Sequence, residues 1–344
     1  MESNVPLVFS GTGVIPSAKI PDGTSLDDVA PTIARIIGFN RPHPEVRSGA
    51  AIEGVASGDA PRLVLEIVLS GVGSSEIASG EWPRLDALIS DGAGTMNASI
   101  GSSPSDPTAV MTTIGTGGIP SQHGITGTLV RDDEGRLVRS WGPNSPLSII
   151  ATLGDDLDER LDQEPRIGLV AANSSARGLI GGEWYVDVDS DDVSYAPTGK
   201  GAEKALTRTL ADGYGADDTT DVLAYSLEGE PSGMDDRIGA AVDAALEAAG
   251  GSVAIVVTAT GSTVTDAKLN GDDVASALES ALATPGVVEA SVPGGVFLDQ
   301  EVLVDKALSE DEVLKGMREL EDQSGGPMFK DVFPAIAVSF KRYC

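Results

Sequence analysis

The sequence predicts an α/β protein: a doubly wound, mostly parallel sheet with helices on both faces, plus a small C-terminal αβ appendage. Three observations carry the prediction. Short apolar runs rich in β-branched residues recur along the chain, as strands buried on both faces of a parallel sheet require. Segments with helical periodicity alternate with them, which is the order a doubly wound sheet produces. Aromatic residues make up only 4% of the chain while Gly, Ala, Val and Thr are plentiful, a supply of small side chains suited to close strand–helix packing.

The elements follow in order. Residues 6–9 open the sheet, and 28–37 form a helix. Asp28, Pro31 and Thr32 fit a capped helix start with proline in the first turn, and Gly38 fits its stop. The Gly-, Ser- and Asp-rich stretch 48–60 reads as a linker or surface loop between two parts of one sheet. A strand at 63–69 and helices at 83–90 and 108–114 come next. Strands at 167–171, 222–226 and 253–258 then alternate with helices at 202–211 and 237–249. All five strands read as buried and parallel. Beyond residue 262 the alternation breaks. A helix at 272–282, a strand at 286–292, a helix at 310–320 and a strand at 335–340 make the appendage. The predicted division is an α/β domain over 1–262 and an αβ subdomain over 263–344, with no internal repeat at a solenoid period.

Composition excludes several classes of function. The formal charge is −30, from 53 acidic against 23 basic residues, and the acids come as scattered doublets such as Asp27-Asp28 and Asp155-Asp156. Such a surface repels nucleic acid and anionic membranes and slows free phosphorylated substrates. No window is long and apolar enough to span a bilayer. The opening residues lack the basic region of a signal peptide, so a cytoplasmic protein is expected. Cys344, the final residue, is the only thiol, which leaves no internal disulfide.

The segment 104–127, PSDPTAVMTTIGTGGIPSQHGITG, holds the most informative pattern. Thr116-Gly117 ends a helix, and Pro120-Ser121-Gln122-His123-Gly124-Ile125 follows as a turn. Together with the strand at 63–69, this segment resembles the opening of the alkaline phosphatase superfamily, in its nucleotide pyrophosphatase/phosphodiesterase-like branch. The resemblance implies an alkaline-phosphatase-like fold and a site for two divalent metals beside a threonine nucleophile. The residues it maps onto those roles are not the family's. Ser70 stands where the resemblance expects a metal-binding aspartate, and a neutral hydroxyl is a poor ligand for a divalent ion. Pro107 occupies the aligned nucleophile position, with Thr108 one residue late. Thr260 and Gly261 replace the Asp-His pair of the strand at 253–261, and only Glu228 and Glu230 follow the strand at 222–226. Residues 5–49 resemble the family's closing segment. That piece comes first here, which implies a circular permutation, with 1–49 matching the family's end and 61–262 its opening and middle.

Two readings of function follow. The first is a phosphoesterase fold without the two-metal site, acting in binding, scaffolding or assembly, with a protein partner or a second copy as the expected partner and no cofactor. Its remnant-site candidates are Ser70, Ser105, Asp106, Thr108 and Thr260. The alternative is an active phosphodiesterase or phosphatase with a rearranged site. Thr108 or a nearby serine would be the nucleophile, and Glu66, Asp106, Glu228 and Glu230 would favour magnesium or manganese. The hydroxyl-rich stretch Ser102, Ser103, Ser105 and Thr108 precedes a helix, whose start either holds a phosphate-like anion or is capped by Ser105 or Asp106. His123 reads as a structural residue and His43 as an exposed one. Residues 187–191 resemble the start of a calcium loop, but Asp192 and Thr198 stand where that loop needs glycine and glutamate.

Overall fold

The computed structural model describes residues 4–101, 105–182, 184–185, 191–196, 199–262, 271–292, 294–322, 325–329 and 331–335. Eleven strands are present among them. They are β1 (Asn4–Gly11), β2 (Leu63–Leu69), β3 (Ala93–Ser99), β4 (Leu129–Arg131), β5 (Leu137–Arg139), β6 (Ile167–Ala171), β7 (Asp192–Tyr195), β8 (Asp221–Leu227), β9 (Val253–Ala259), β10 (Val288–Val292) and β11 (Gly295–Leu298). The helices are α1 (Val29–Ile36), α2 (Ser74–Ala78), α3 (Pro83–Asp91), α4 (Pro107–Thr116), α5 (Pro120–His123), α6 (Leu153–Arg160), α7 (Lys200–Ala211), α8 (Met234–Ala248), α9 (Gly271–Ala281), α10 (Gln300–Asp305) and α11 (Glu310–Arg318).

Seven strands form one mixed sheet in the order β3-β1-β9-β2-β8-β6-β7. From β9 to β7 each pair is parallel. The prediction of five parallel strands fails at one place: β1 runs antiparallel to both β9 and β3. Burial on both faces gives an apolar run in either direction, so composition alone could not reveal the reversal. β2, β8 and β9 are buried along their whole length. They carry the centre of the core with Leu65, Ile67, Leu223, Tyr225, Val256 and Val257.

Helices cover both faces, as predicted. Successive strand residues point to opposite faces, so the register sorts them. Gly168, Leu223 and Leu65 share the face on which Tyr214 lies, and Tyr225 on that face meets Arg237 of α8. Ile167 and Val222 point the other way, and Ile167 lies against Gly154 of α6. Helices α3, α7 and α8 pack together, while α1, α4 and α6 form the second layer.

Helix α4 lies inside from its second residue on. Every residue from Thr108 to Thr116 is buried. Two of its buried hydroxyls are satisfied by turning back on the helix: Thr112 Oγ1 donates to Thr108 O (2.8 Å) and Thr116 Oγ1 to Thr112 O (2.6 Å). Gly115 lets the helix close on the 3-10 turn Ser174–Leu179, because a Cβ there would strike the carbonyls of Gly178 and Leu179. Gly178 returns the contact, since its own Cβ would overlap Thr112. The loop predicted at 48–60 has no helix or strand and crosses between β1 and β2. It is pinned, with Ala50 N donating to Asp28 Oδ1 and Ile52 N to Thr32 Oγ1.

A second compact unit begins after Thr263. Its own small core holds Leu278, Val313 and Leu320, with the β10–β11 hairpin and α9 and α11 around them. The helices predicted at 272–282 and 310–320 match α9 and α11 within two residues. β11 and α10 went unpredicted. Residues 336–340 of the predicted last strand, and Cys344, lie outside the described residues.

Candidate functional site

In an open α/β sheet the residues that leave the carboxyl ends of the parallel strands are the ones placed to act on a ligand. Here the polar ones are Ser70 after β2, Glu228 after β8 and Thr260 after β9, while alanines follow β6 and β7. The strand ends are tied together. Ser70 N donates to Leu227 O (2.8 Å), Thr260 N to Leu69 O (3.0 Å), and Gly71 N to the Thr260 hydroxyl (2.9 Å). Gly71 holds φ 76°, a backbone state that favours glycine. Thr260 is only 1% exposed, so its oxygen serves the turn rather than the solvent. Ser70 is half-buried beside it.

The start of α4 supplies the remaining candidates. Asp106 is the N-cap and Pro107 the first helical residue. The Asp106 carboxylate accepts from Thr108 N (2.8 Å) and from the Thr128 hydroxyl (3.0 and 3.2 Å). Thr128 has one proton and gives it to Asp106, so its oxygen accepts from Thr108 Oγ1 (3.1 Å). The result is a chain, Thr108 to Thr128 to Asp106. Both Thr108 and Asp106 are 1% exposed. A nucleophile needs an activating base or metal and an open approach. Thr108 has a carboxylate two hydrogen bonds away but no open approach. Of the two roles weighed for this helix start, capping is the one built, with Asp106 rather than Ser105 as the cap. Ser105 is buried next to it, and Ser102 and Ser103 lie outside the described residues.

The helix stop and turn take the predicted form. Gly117 ends α4 at φ 73°, and Gly124 ends α5 at φ 81°. His123 is fully buried between them. Ile125 N donates to Nδ1 (3.1 Å), which leaves the proton on Nε2 to be given to Thr113 Oγ1 (3.1 Å). Burial holds this imidazole down to about 3, so it stays neutral and structural. His43 is an exposed loop residue at φ 51°, 3.3 Å from Glu45.

The carboxylates proposed for a rearranged metal site do not converge. Glu66 lies inside β2, four residues before Ser70, and Asp106 caps α4. Glu228 is half-buried and Glu230 exposed. Among the described residues no group of three or more His, Cys, Asp or Glu is placed to hold a metal ion. Asp191 of the acidic run pairs with Arg177 (2.6 Å), and residues 187–190 lie outside the described residues.

One buried charge cluster escaped the sequence reading. Arg41 Nε (2.8 Å) and Arg47 Nη2 (3.1 Å) both bind Asp156 Oδ2. Both arginines also donate to Thr116 O, at the negative end of α4, and to Ala151 O. Tyr185 donates to the other Asp156 oxygen (3.0 Å). Burial pulls the Arg41 guanidinium down to about 10, opposed by the Asp156 charge. With every guanidinium committed, the cluster is a strut that fastens the loop after α1 to α4 and α6.

No protein-family model and no curated protein matches the chain. Solved structures do. The murine ectonucleotide pyrophosphatase/phosphodiesterase 5 superposes with a TM-score of 0.54 at 13% identity, over 74% of this chain and 69% of that one. The alkaline phosphatase PafA superposes with a TM-score of 0.50 at 14% identity, over 75% and 76%. Phosphonoacetate hydrolase from Sinorhizobium meliloti 1021 matches over 76% and 74% at 17% identity, with a lower TM-score of 0.46. The chain therefore has the alkaline-phosphatase-like α/β fold, and at these identities the likeness extends to the fold alone.

Proposed function

We propose that this chain keeps an alkaline-phosphatase-like fold without two-metal phosphoester hydrolysis, and works in binding, scaffolding or assembly with a protein partner or a second copy of itself. The observation that carries the reading is the pair of hydroxyl residues at the ends of β2 and β9. Ser70 and Thr260 stand where the resembled family has metal-binding side chains, and Thr260 spends its oxygen on Gly71 N. Two cations beside a phosphate need several anionic ligands to offset their charge, and among the described residues no group of three or more His, Cys, Asp or Glu is placed to supply them. The test is metal content measured together with turnover of nitrophenyl phosphate mono- and diesters in added zinc, manganese or magnesium. The expected result is no stoichiometric metal and no turnover; stoichiometric metal together with turnover would reject the proposal.

A second reading, an active phosphoesterase using Thr108, draws support from the Thr108–Thr128–Asp106 chain of hydrogen bonds. Burial of Thr108 counts against it. If any hydrolysis is found, Thr108→Ala should leave it unchanged under the first reading and abolish it under the second. We also infer that the domain is circularly permuted, on the resemblance of residues 5–49 and on the pairing of the first strand, β1, with β9, the last of the same sheet. A chain opened between Asp59 and Arg62, with its old ends joined by a long flexible linker, should keep its circular dichroism spectrum and cooperative unfolding. A molten product would count against the permutation.

A further inference from the structure

The middle of the sheet contains a polar pair that no hydrogen bond explains. Glu66 lies in central strand β2 between Ala224 of β8 and Val256 of β9, and is only 3% exposed. Among the described residues its Oε1 has no partner, and neither has the hydroxyl of Ser226, which is 2% exposed. The two residues share a face. Ser226 pairs with Val68, two positions along β2 from Glu66, so both side chains point to the layer of α1, α4 and α6. A neighbouring hydroxyl on that face is engaged: Thr258 Oγ1 donates to Pro6 O (2.8 Å).

Buried polar atoms are almost always satisfied by protein or by ordered water. Diagonal neighbours on adjacent strands have Cα atoms about 7–8 Å apart. A water accepting and donating at ordinary lengths spans about 4.5–5 Å between its partners, which the glutamate and serine side chains can bring within reach. We propose that one internal water molecule joins Glu66 Oε1 to the Ser226 hydroxyl, a hydrated site inside the sheet–helix layer. Glu66 is then a neutral acid within a water-mediated pair. Its polarity serves the core rather than a metal.

Two measurements test this on the full chain. A crystal structure at about 1.5 Å, grown near pH 6, should show one water peak within hydrogen-bond distance of both atoms. A direct contact between the two side chains, a dry site or a metal ion there would overturn the proposal. In solution, Glu66→Met, Ser226→Ala and the double variant form a cycle read from urea midpoints. The midpoint loss of the double variant should fall clearly short of the summed losses of the single ones, because either substitution already strands the water. Additive losses would overturn the proposal. Glu66→Gln, which keeps the hydrogen-bonding oxygen, should retain the water peak.

Discussion

Glu66 ties the stability of the fold to pH across the neutral range. Burial pushes its carboxyl up to about 8, far above the ordinary 4.5 it regains when the chain unfolds. Between those values the folded state holds a proton that the unfolded state has lost. Stability from this group is therefore full below about pH 4.5 and lost as pH rises through about 8. The shift is worth on the order of a few kcal/mol across that window. Glu66→Gln should consequently flatten the fall of stability between pH 5 and 8, and be the more stable protein at pH 8, as read from urea unfolding at a series of pH values. A variant that tracks the parent curve throughout would refute the assignment.

At the scale of elements, close approach governs α4. Gly115→Ala would force a methyl group into the carbonyls of the facing 3-10 turn, and overpacking of this kind costs about 1–3 kcal/mol. Thermal unfolding should show the loss; a neutral result would mean that the turn can retreat. The strut on the same helix should be costlier to break. Asp156→Ala leaves Arg41 and Arg47 buried without their carboxylate, a loss of about 3–5 kcal/mol by the same measurement. An unchanged Tm would show that the backbone carbonyls alone suffice.

Legibility in the sequence followed from how local each signal was. The α4 stop at Gly117 and the His123 turn were readable because a glycine, a proline and a histidine lie within a few residues of each other. The cap was readable as one of two residues, and only geometry chose Asp106. Strand β3, AGTMNAS, was missed because its small and polar residues lack the apolar run that marked the central strands. The Arg41–Asp156 strut was missed because its members stand 115 positions apart and nothing in either neighbourhood announces the other.

For the whole molecule, the sheet order and the match to solved phosphoesterases fix the fold, while the strand ends define what the fold can do. No helix among the described residues is long and apolar enough to cross a membrane. Acidic residues alone do not make a metal site: for all 53 carboxylates in the chain, the described residues bring no three or more His, Cys, Asp or Glu together to hold an ion. The most direct measurement is an anomalous difference map from crystals soaked in zinc or manganese. No peak is expected beside Ser70 and Thr260. A pair of peaks about 4 Å apart at that place, the spacing of a two-metal centre, would contradict it.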